Sequence, residues 1–545
     1  MKLPAGSLSE LRKSRVRVVK GGRHGIAVFA HDGRLFALDN RCPHLGFPLD
    51  RGTVKDGVVT CHWHHWRFDM ATGGCFTDGG DDVRGYPVTV EGDEVYVDTT
   101  PPPKAEAVAA AETRLGKALE QANTLGIAKS VVRLRAAGFT ADQLIARIAR
   151  FGAQFRNEWS PGMSILAALG RLIRRVPMDR ELEVLALTHA GRAVAQACEG
   201  KPSRRAREPL PGPLDFDAIK EKFRLFVDER EAAGAERCLM TALRDGATRE
   251  QATDLLTRAA TDHVYIDEGH PYDYINKAFE LLEIVGWDEA PRILPLLVPP
   301  LCEAQWYEEQ SEWRYPFDFP AALAELAPTP GSAGVEAYLT DDPRALLESV
   351  ARGADALELG AAAAYRMARF NLKNEIFDWE NAHHAFTYAN AVSEVPTMRA
   401  ILHGAVKLYL VRFLTIPPAR LPAEVSAQIP RHHDALASMD AAVSAKRVTD
   451  AAHALFAHLR DGGDRDALLG AMTAAALRED AGFHMVQSLE AAVTLSDRLA
   501  GTPHADVPLV AAIRYLTVHS PTDRFVSSTV DKAIRLERGE DLFLE

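Results

Sequence analysis

Two textures of apolar and polar residues follow one another along the chain. Over residues 1–100 apolar positions alternate or run in short blocks broken by turn dipeptides. Arg15 to Lys20 alternates, His24 to Ala30 and Arg34 to Leu38 flank Asp32-Gly33, Thr53-Val54 and Val58 to Cys61 flank Asp56-Gly57, and Tyr86 to Val90 and Glu94 to Val97 flank Gly92-Asp93. Each pair reads as a β-hairpin, because Asp-Gly and Gly-Asp supply the positive φ that two-residue hairpin turns need. Thr99-Thr100-Pro101-Pro102-Pro103-Lys104 ends this region, since a proline run cannot continue a sheet and forms a short, stiff linker. Beyond residue 105 the spacing becomes helical, in Ala- and Leu-rich stretches such as Lys117 to Leu134, Ala141 to Phe151 and Ile165 to Ile173. A second break is expected at the basic, proline-rich residues 201–213, as a solvated linker or, on a sharper reading, a basic docking patch. The predicted fold class is α+β and multidomain: a small antiparallel all-β domain over 1–100, a helical segment over 101–200 and a large all-α domain over 214–545.

Composition narrows the function classes. At 545 residues the chain exceeds what one hydrophobic core serves. With 63 basic and 75 acidic residues the formal net charge is −12, which argues against broad affinity for nucleic acid or anionic membranes. The six cysteines, at 42, 61, 75, 198, 238 and 302, have no spacing suggestive of a disulfide framework. A reducing, cytoplasmic location is expected, because the first residues lack the apolar run of a signal peptide and no window reaches the length of a membrane span.

The chemistry is concentrated in Cys42-Pro43-His44 and, after sixteen intervening residues, Cys61-His62-Trp63-His64. One Cys is paired with one His twice, and the turn pattern places both pairs on loops. Two thiolates and two imidazoles suit a Rieske iron–sulfur centre, where imidazoles donate less charge than thiolates and raise the potential. They also suit zinc.

The flanks, Leu45-Gly46-Phe47-Pro48-Leu49-Asp50-Arg51-Gly52 and His65-Trp66-Arg67-Phe68-Asp69, resemble the Rieske ferredoxin and oxygenase family over roughly residues 8–98. The resemblance implies a [2Fe-2S] cluster with Cys42 and Cys61 as thiolate ligands and His44 and His64 as imidazole ligands. The cytochrome bc-type branch joins its two cluster loops by a disulfide, but here those positions carry Phe47 and Trp63, so the lower-potential branch is implied. His62 stands where that branch commonly has Pro, which leaves the ligands untouched.

In the helical region three stretches share a carboxylate, one or two histidines and an amphipathic continuation, and read as degenerate repeats: Asp262-His263 to Asp267-Glu268-Gly269-His270, Asp378-Trp379-Glu380-Asn381-Ala382-His383-His384, and Glu479-Asp480-Ala481-Gly482-Phe483-His484. Glu380 and His383 are three apart and Asp480 and His484 four apart, so each pair shares a helix face. Carboxylate-bridged di-iron sites use Glu-x-x-His in this way, although from two helices. A second, non-haem metal site is therefore expected among Glu380, His383, His384, His403, Asp480 and His484, with His270 as a further contributor; capped or hydrogen-bonded histidines of a helical array are the bland alternative. Asp450-Ala451-Ala452-His453 with His458 reproduces a Rieske-oxygenase iron signature, yet on a helix the two histidines point about 140° apart, so the match is read as accidental.

The helical part also has a distant resemblance to questin-oxidase-like proteins, in Glu268-Gly269-His270 and in Asp480 to His484 through Glu490, which implies oxygenation of an aromatic or polyketide-like substrate. Tyr272, Tyr274, Trp287, Trp306, Tyr307, Trp313, Tyr315, Phe317 and Phe319 form either a stacking wall for an aromatic small molecule or helix-packing core. No Gly-x-Gly-x-x-Gly or phosphate loop is present, so electrons are expected from an external reductase or ferredoxin docking near His44 and His64. Two functions follow: a monooxygenase-like oxidoreductase whose cluster feeds a site in the helical domain, or an electron carrier or redox sensor whose helical domain binds a partner protein.

Overall fold

In the computed structural model of the protein, residues 1–21, 24–213, 215–311 and 318–544 are described. Contacts divide the chain into two compact units: Met1–Thr140 with Val526–Glu545, and Ala141–Phe525.

Among the described residues the first unit contains ten short strands: β1 Lys2–Ser7, β2 Val16–Val19, β3 Ile26–His31, β4 Arg34–Asp39, β5 Thr53–Lys55, β6 Val58–Thr60, β7 Arg67–Asp69, β8 Gly85–Tyr86, β9 Val88–Glu91 and β10 Glu94–Asp98. They form three antiparallel sheets, ordered β1-β10-β9, β2-β3-β4-β8 and β5-β6-β7. Turn chemistry sets the register. Asp32 and Gly33 (φ 48° and 75°) and Asp56 and Gly57 (φ 50° and 74°) are both left-handed, which is the type I′ pattern. Gly92 alone is positive in the third hairpin, at φ 67°, as type II′ demands. β3 is apolar on both faces because both are buried: Ala27 and Phe29 join the core that also holds Cys42 and Cys61, while Ile26 and Val28 join Val95 and Val97.

This unit does not stop at the proline linker. It takes in helices Lys104–Glu120 and Thr124–Ala136, and from Val526 onward the C-terminal helix Phe525–Arg538. The helix expected from Lys117 to Leu134 is broken at Ala122, which turns left-handed at φ 47°. Asn123 then caps the second helix, accepting from the Gly126 amide at 3.0 Å. Apolar periodicity carries no record of that cap.

The second unit is helical throughout its named elements. Helix His270–Val285 is buried along most of its length, packed against Pro161–Arg175 and Asp378–Glu394. Its polar members are paired inside: Lys277 donates to Glu280 at 2.8 Å and to Glu490, Asn276 donates to Glu280 at 2.7 Å, and Gln487 donates to Asp273. Helix Ala356–Ala368 lies close to Phe483–Arg498, and a Cβ on Gly360 would meet Leu495 at 2.6 Å. The basic stretch at 201–213 is fastened rather than a free linker: Arg204 pairs with Glu236, Arg237 donates to the Glu208 carbonyl at 3.1 Å, and Arg244 to that of Gly212 at 2.8 Å. Among the described residues no helix is long and apolar enough to cross a membrane.

Candidate functional site

Two groups of chemistry-bearing side chains stand out, one in each unit. In the first, the loops after β4 and β6 fold alike. The Cys42 amide donates to the Phe47 carbonyl at 2.8 Å and the Gly46 amide to that of Cys42 at 2.9 Å; the Cys61 amide donates to Trp66 at 2.8 Å and that of His65 to Cys61 at 3.0 Å. Gly46 and His65, each four residues after its cysteine, are both left-handed, at φ 92° and 60°. The two loops thus share one turn although His44 follows its cysteine by two residues and His64 by three. Both thiols are buried; the neighbouring Cys42 thiol, with the Trp63 and His64 amides, pulls Cys61 down to about 6, while Cys61 and burial push Cys42 up. His44 lies 4.5 Å, ring to ring, from His64 and stacks at 4.5 Å on Trp66. Burial, then the charges of His64 and Lys129, lower its pKa to about 4. His44 Nδ1 is buried with no hydrogen-bond partner among the described residues.

Segments far away in sequence complete this surrounding. Lys129 donates to the Pro43 carbonyl and, at 2.8 Å, to Asp81. Arg41, just before Cys42, donates to the carbonyls of Leu536, at 3.0 Å, and Glu540, and contacts Asp541 at 3.3 Å. Phe543 packs edge-on against Phe47 at 5.6 Å and Trp63 at 6.5 Å. Sequence reading did not find these partners, since nothing local marks residues 129 or 543 as neighbours of the loops.

A small β-domain that presents two like-folded Cys/His loops, with both thiols buried and two imidazole rings side by side, is an iron–sulfur electron-transfer domain. Residues 1–87 match the Rieske [2Fe-2S] domain, and through them the chain belongs to that family. The ferredoxin component of the alkene monooxygenase system of Xanthobacter autotrophicus is 31% identical over 99 residues, 18% of this chain and 81% of that one. The ferredoxin component of the p-cumate 2,3-dioxygenase system of Pseudomonas putida is 38% identical over 86 residues, 15% and 71% of the two chains. Aminopyrrolnitrin oxygenase PrnD of Pseudomonas fluorescens is 38% identical over 61 residues, 11% and 17%. A Rieske domain holds a [2Fe-2S] cluster and has electron-transfer partners, and the two sulfurs and two imidazoles at these loops fit that cluster's donor set.

In the second unit His270, His384 and His484 bring one ligand atom each within 4.8 Å of the others. His384 and His484 lie Nε2 to Nε2 at 3.4 Å. Each Nδ1 faces an outer oxygen: His270 donates to the Asp267 carbonyl at 3.0 Å, His384 lies 2.9 Å from Glu268 Oε2, off the line of a good hydrogen bond, and His484 lies 3.8 Å from Glu380 Oε1. That leaves the Nε2 atoms of His384 and His484 facing each other, as happens where outer oxygens orient the imidazoles that bind a metal. Burial lowers the pKa of His384, with Glu268 opposing, and burial followed by the two neighbouring imidazoles takes His484 to about 3. The contact with His384 holds Glu268 at about 2.

The segment that delivers His270 and Glu268 is strained. Tyr265, Asp267 and Glu268 all have positive φ, at 47°, 43° and 58°. Gly269 follows at φ 88°, where a Cβ would meet the Tyr388 ring at 2.9 Å and the Tyr265 hydroxyl at 3.0 Å, so only glycine fits.

Of the residues expected to form a second site, His384 and His484 join the group and Glu380 borders it. His383 lies beside the group, its ring 4.7 Å from that of His484, but its Nε2 is used on the His484 carbonyl at 2.9 Å and its ring stacks on Tyr515. His403 lines a separate cavity of about 430 Å³ with Asp262, Glu309 and Arg399. Asp480 accepts from the Phe525 amide at 2.5 Å. His458 bonds the Asp464 carbonyl at 2.8 Å rather than facing His453. The dense aromatics do not form one wall: Tyr272 packs on Tyr388, Trp287 on Phe279, Trp306 on His263 and Phe319 on Tyr409, while Tyr274 lies beside His270. Trp313, Tyr315 and Phe317 lie outside the described residues.

Proposed function

We propose that the protein is an oxidoreductase in which Cys42 and Cys61 hold one iron of the cluster and His44 and His64 the other, and in which the helical unit activates oxygen or a substrate at a second, non-haem metal. A Rieske cluster supplies single electrons. Around it the chain's own residues exclude water, with both thiols buried and Trp66 stacked on His44. Trp63, 39% exposed, offers an apolar surface to an electron donor, which must be an external reductase or ferredoxin because the sequence has no dinucleotide fingerprint.

The observation that carries the reading is the convergence of His270, His384 and His484. Imidazoles kept neutral, with oxygens behind them, are the state that binds iron, copper or zinc. Tyr274 and Phe483, 5.7 and 6.1 Å from His270 ring to ring, flank the group as stacking surfaces for an aromatic substrate. The oxygenase systems named among the relatives support the pairing of such a cluster with oxygen chemistry.

The alternative, an electron carrier or redox sensor, draws on the relatives that are ferredoxin components. Metal analysis of anaerobically purified full-length protein separates the two. The oxidoreductase reading expects about two irons from the cluster plus about one further metal, the latter lost in the His384→Ala, His484→Ala double variant. About two irons in both proteins, with no other metal, overturns it in favour of the carrier.

A further inference from the structure

We infer that Lys129, on the helix beyond the matched Rieske residues, is a positioning residue that tunes the cluster: its ammonium holds the first ligand loop and favours the reduced state, with Asp81 opposing it.

A lysine is almost never fully buried without a partner. Lys129 has only 3% of its side chain exposed, and its ammonium has two partners. One is Asp81 at 2.8 Å. The other is the carbonyl of Pro43, the residue between Cys42 and His44. Neither contact explains the other: the ion pair would neutralise the charge anywhere in this core, whereas the bond to Pro43 places it against the ligand loop. The helix is held in register by contacts to the same segment as Asp81, since Gln121 donates to Asp78 at 3.0 Å and Asn123 to the Gly79 carbonyl at 2.8 Å. One turn further on, Arg133 pairs with Glu537 at 2.8 Å, so that cation is separately neutralised.

Asp81 does not cancel Lys129 at the loop. The ammonium itself bonds the Pro43 carbonyl, between Cys42 and His44, whereas Asp81 is bonded to the ammonium. Reduction adds one electron to a group enclosed by these loops, and a fixed positive charge in a poorly solvated setting makes that addition more favourable. Sulfurs, hydrogen bonds and net charge near a cluster are the levers by which a protein sets its potential. Here the lever comes from outside residues 1–87.

The test is the midpoint potential of the full-length protein, followed by visible circular dichroism during anaerobic titration with dithionite. Lys129→Gln is expected to lower the potential, Asp81→Asn to raise it, and Lys129→Arg to leave it close to that of the unchanged protein. The opposite signs are the decisive readout, because a clamp that only held the loop in shape would be weakened by either substitution and shift both the same way. Shifts of the same sign, or none, overturn the inference. If Lys129→Gln does not retain the cluster spectrum, a raised potential in Asp81→Asn with little change in Lys129→Arg supports it, and a lowered or unchanged potential in Asp81→Asn overturns it. Absence of a Rieske spectrum from the unchanged protein would overturn the cluster reading itself, and this inference with it.

Discussion

His384 and His484 face each other Nε2 to Nε2 at 3.4 Å, although one hundred residues separate them. Two imidazoles at that distance repel when both are charged, which is one reason His484 stays neutral down to about pH 3. Helices Asp378–Glu394 and Phe483–Arg498 bring them together, and a bond from the His383 Nε2 to the His484 carbonyl ties the two helices at the same level.

The two cysteine loops allow a controlled test of the ligand assignment. Cys61→Ser should remove the visible Rieske absorbance and most of the iron, since a serine oxygen replaces one of only two sulfur donors. Cys75→Ser should keep both, because Cys75 lies outside the two loops and its thiol faces the Thr77 carbonyl. Persistence of the spectrum in Cys61→Ser would show the assignment to be wrong.

Acid should weaken the helical unit through its buried neutral histidines. Burial lowers His189 to about 4 and His403 to about 3. Between pH 6.5, where an unfolded imidazole gains its proton, and those values, the unfolded chain binds protons that the folded chain refuses. Stability is therefore fully present above about pH 6.5 and falls as pH drops, by up to about 1.4 kcal/mol per pH unit for each such histidine. Urea unfolding of the His403→Gln variant between pH 7 and pH 5 should show a smaller slope than that of the unchanged protein. An equal slope in the two would remove His403 from the account.

Removing residues 539–545 should loosen the cluster unit. Arg41 would lose Glu540 and Asp541, and Trp63 would lose the ring of Phe543. A loss of roughly 1–3 kcal/mol is expected from the hydrogen bonds and apolar burial together. Iodide should quench Trp63 more strongly in the shortened chain. Unchanged quenching and unchanged thermal loss of the cluster spectrum would show that this segment contributes nothing there.

What the sequence by itself determined is local in origin. Asp32-Gly33, Asp56-Gly57 and Gly92-Asp93 prescribe the hairpins because so few residues adopt positive φ, and the prolines at 101–103 end the last strand because they donate no hydrogen bond. Cys42, His44, Cys61 and His64 were legible because each pair falls within four residues of chain and the turns place both on loops. The histidines of the helical unit were only half legible. Periodicity ranks positions on one helix face, so it grouped Glu380 with His383 and Asp480 with His484, but which helices meet is set by side-chain packing across long stretches of chain. Tertiary structure alone chose His384 over its neighbour His383, sent His403 to another cavity, used Asp480 on the Phe525 amide, and brought His270 in on a strained turn that Gly269 makes possible. It likewise put Lys129 and Phe543 beside the cluster loops, because a buried charge and an apolar ring are placed by the partners they find, and those partners lie 86 residues away for Lys129.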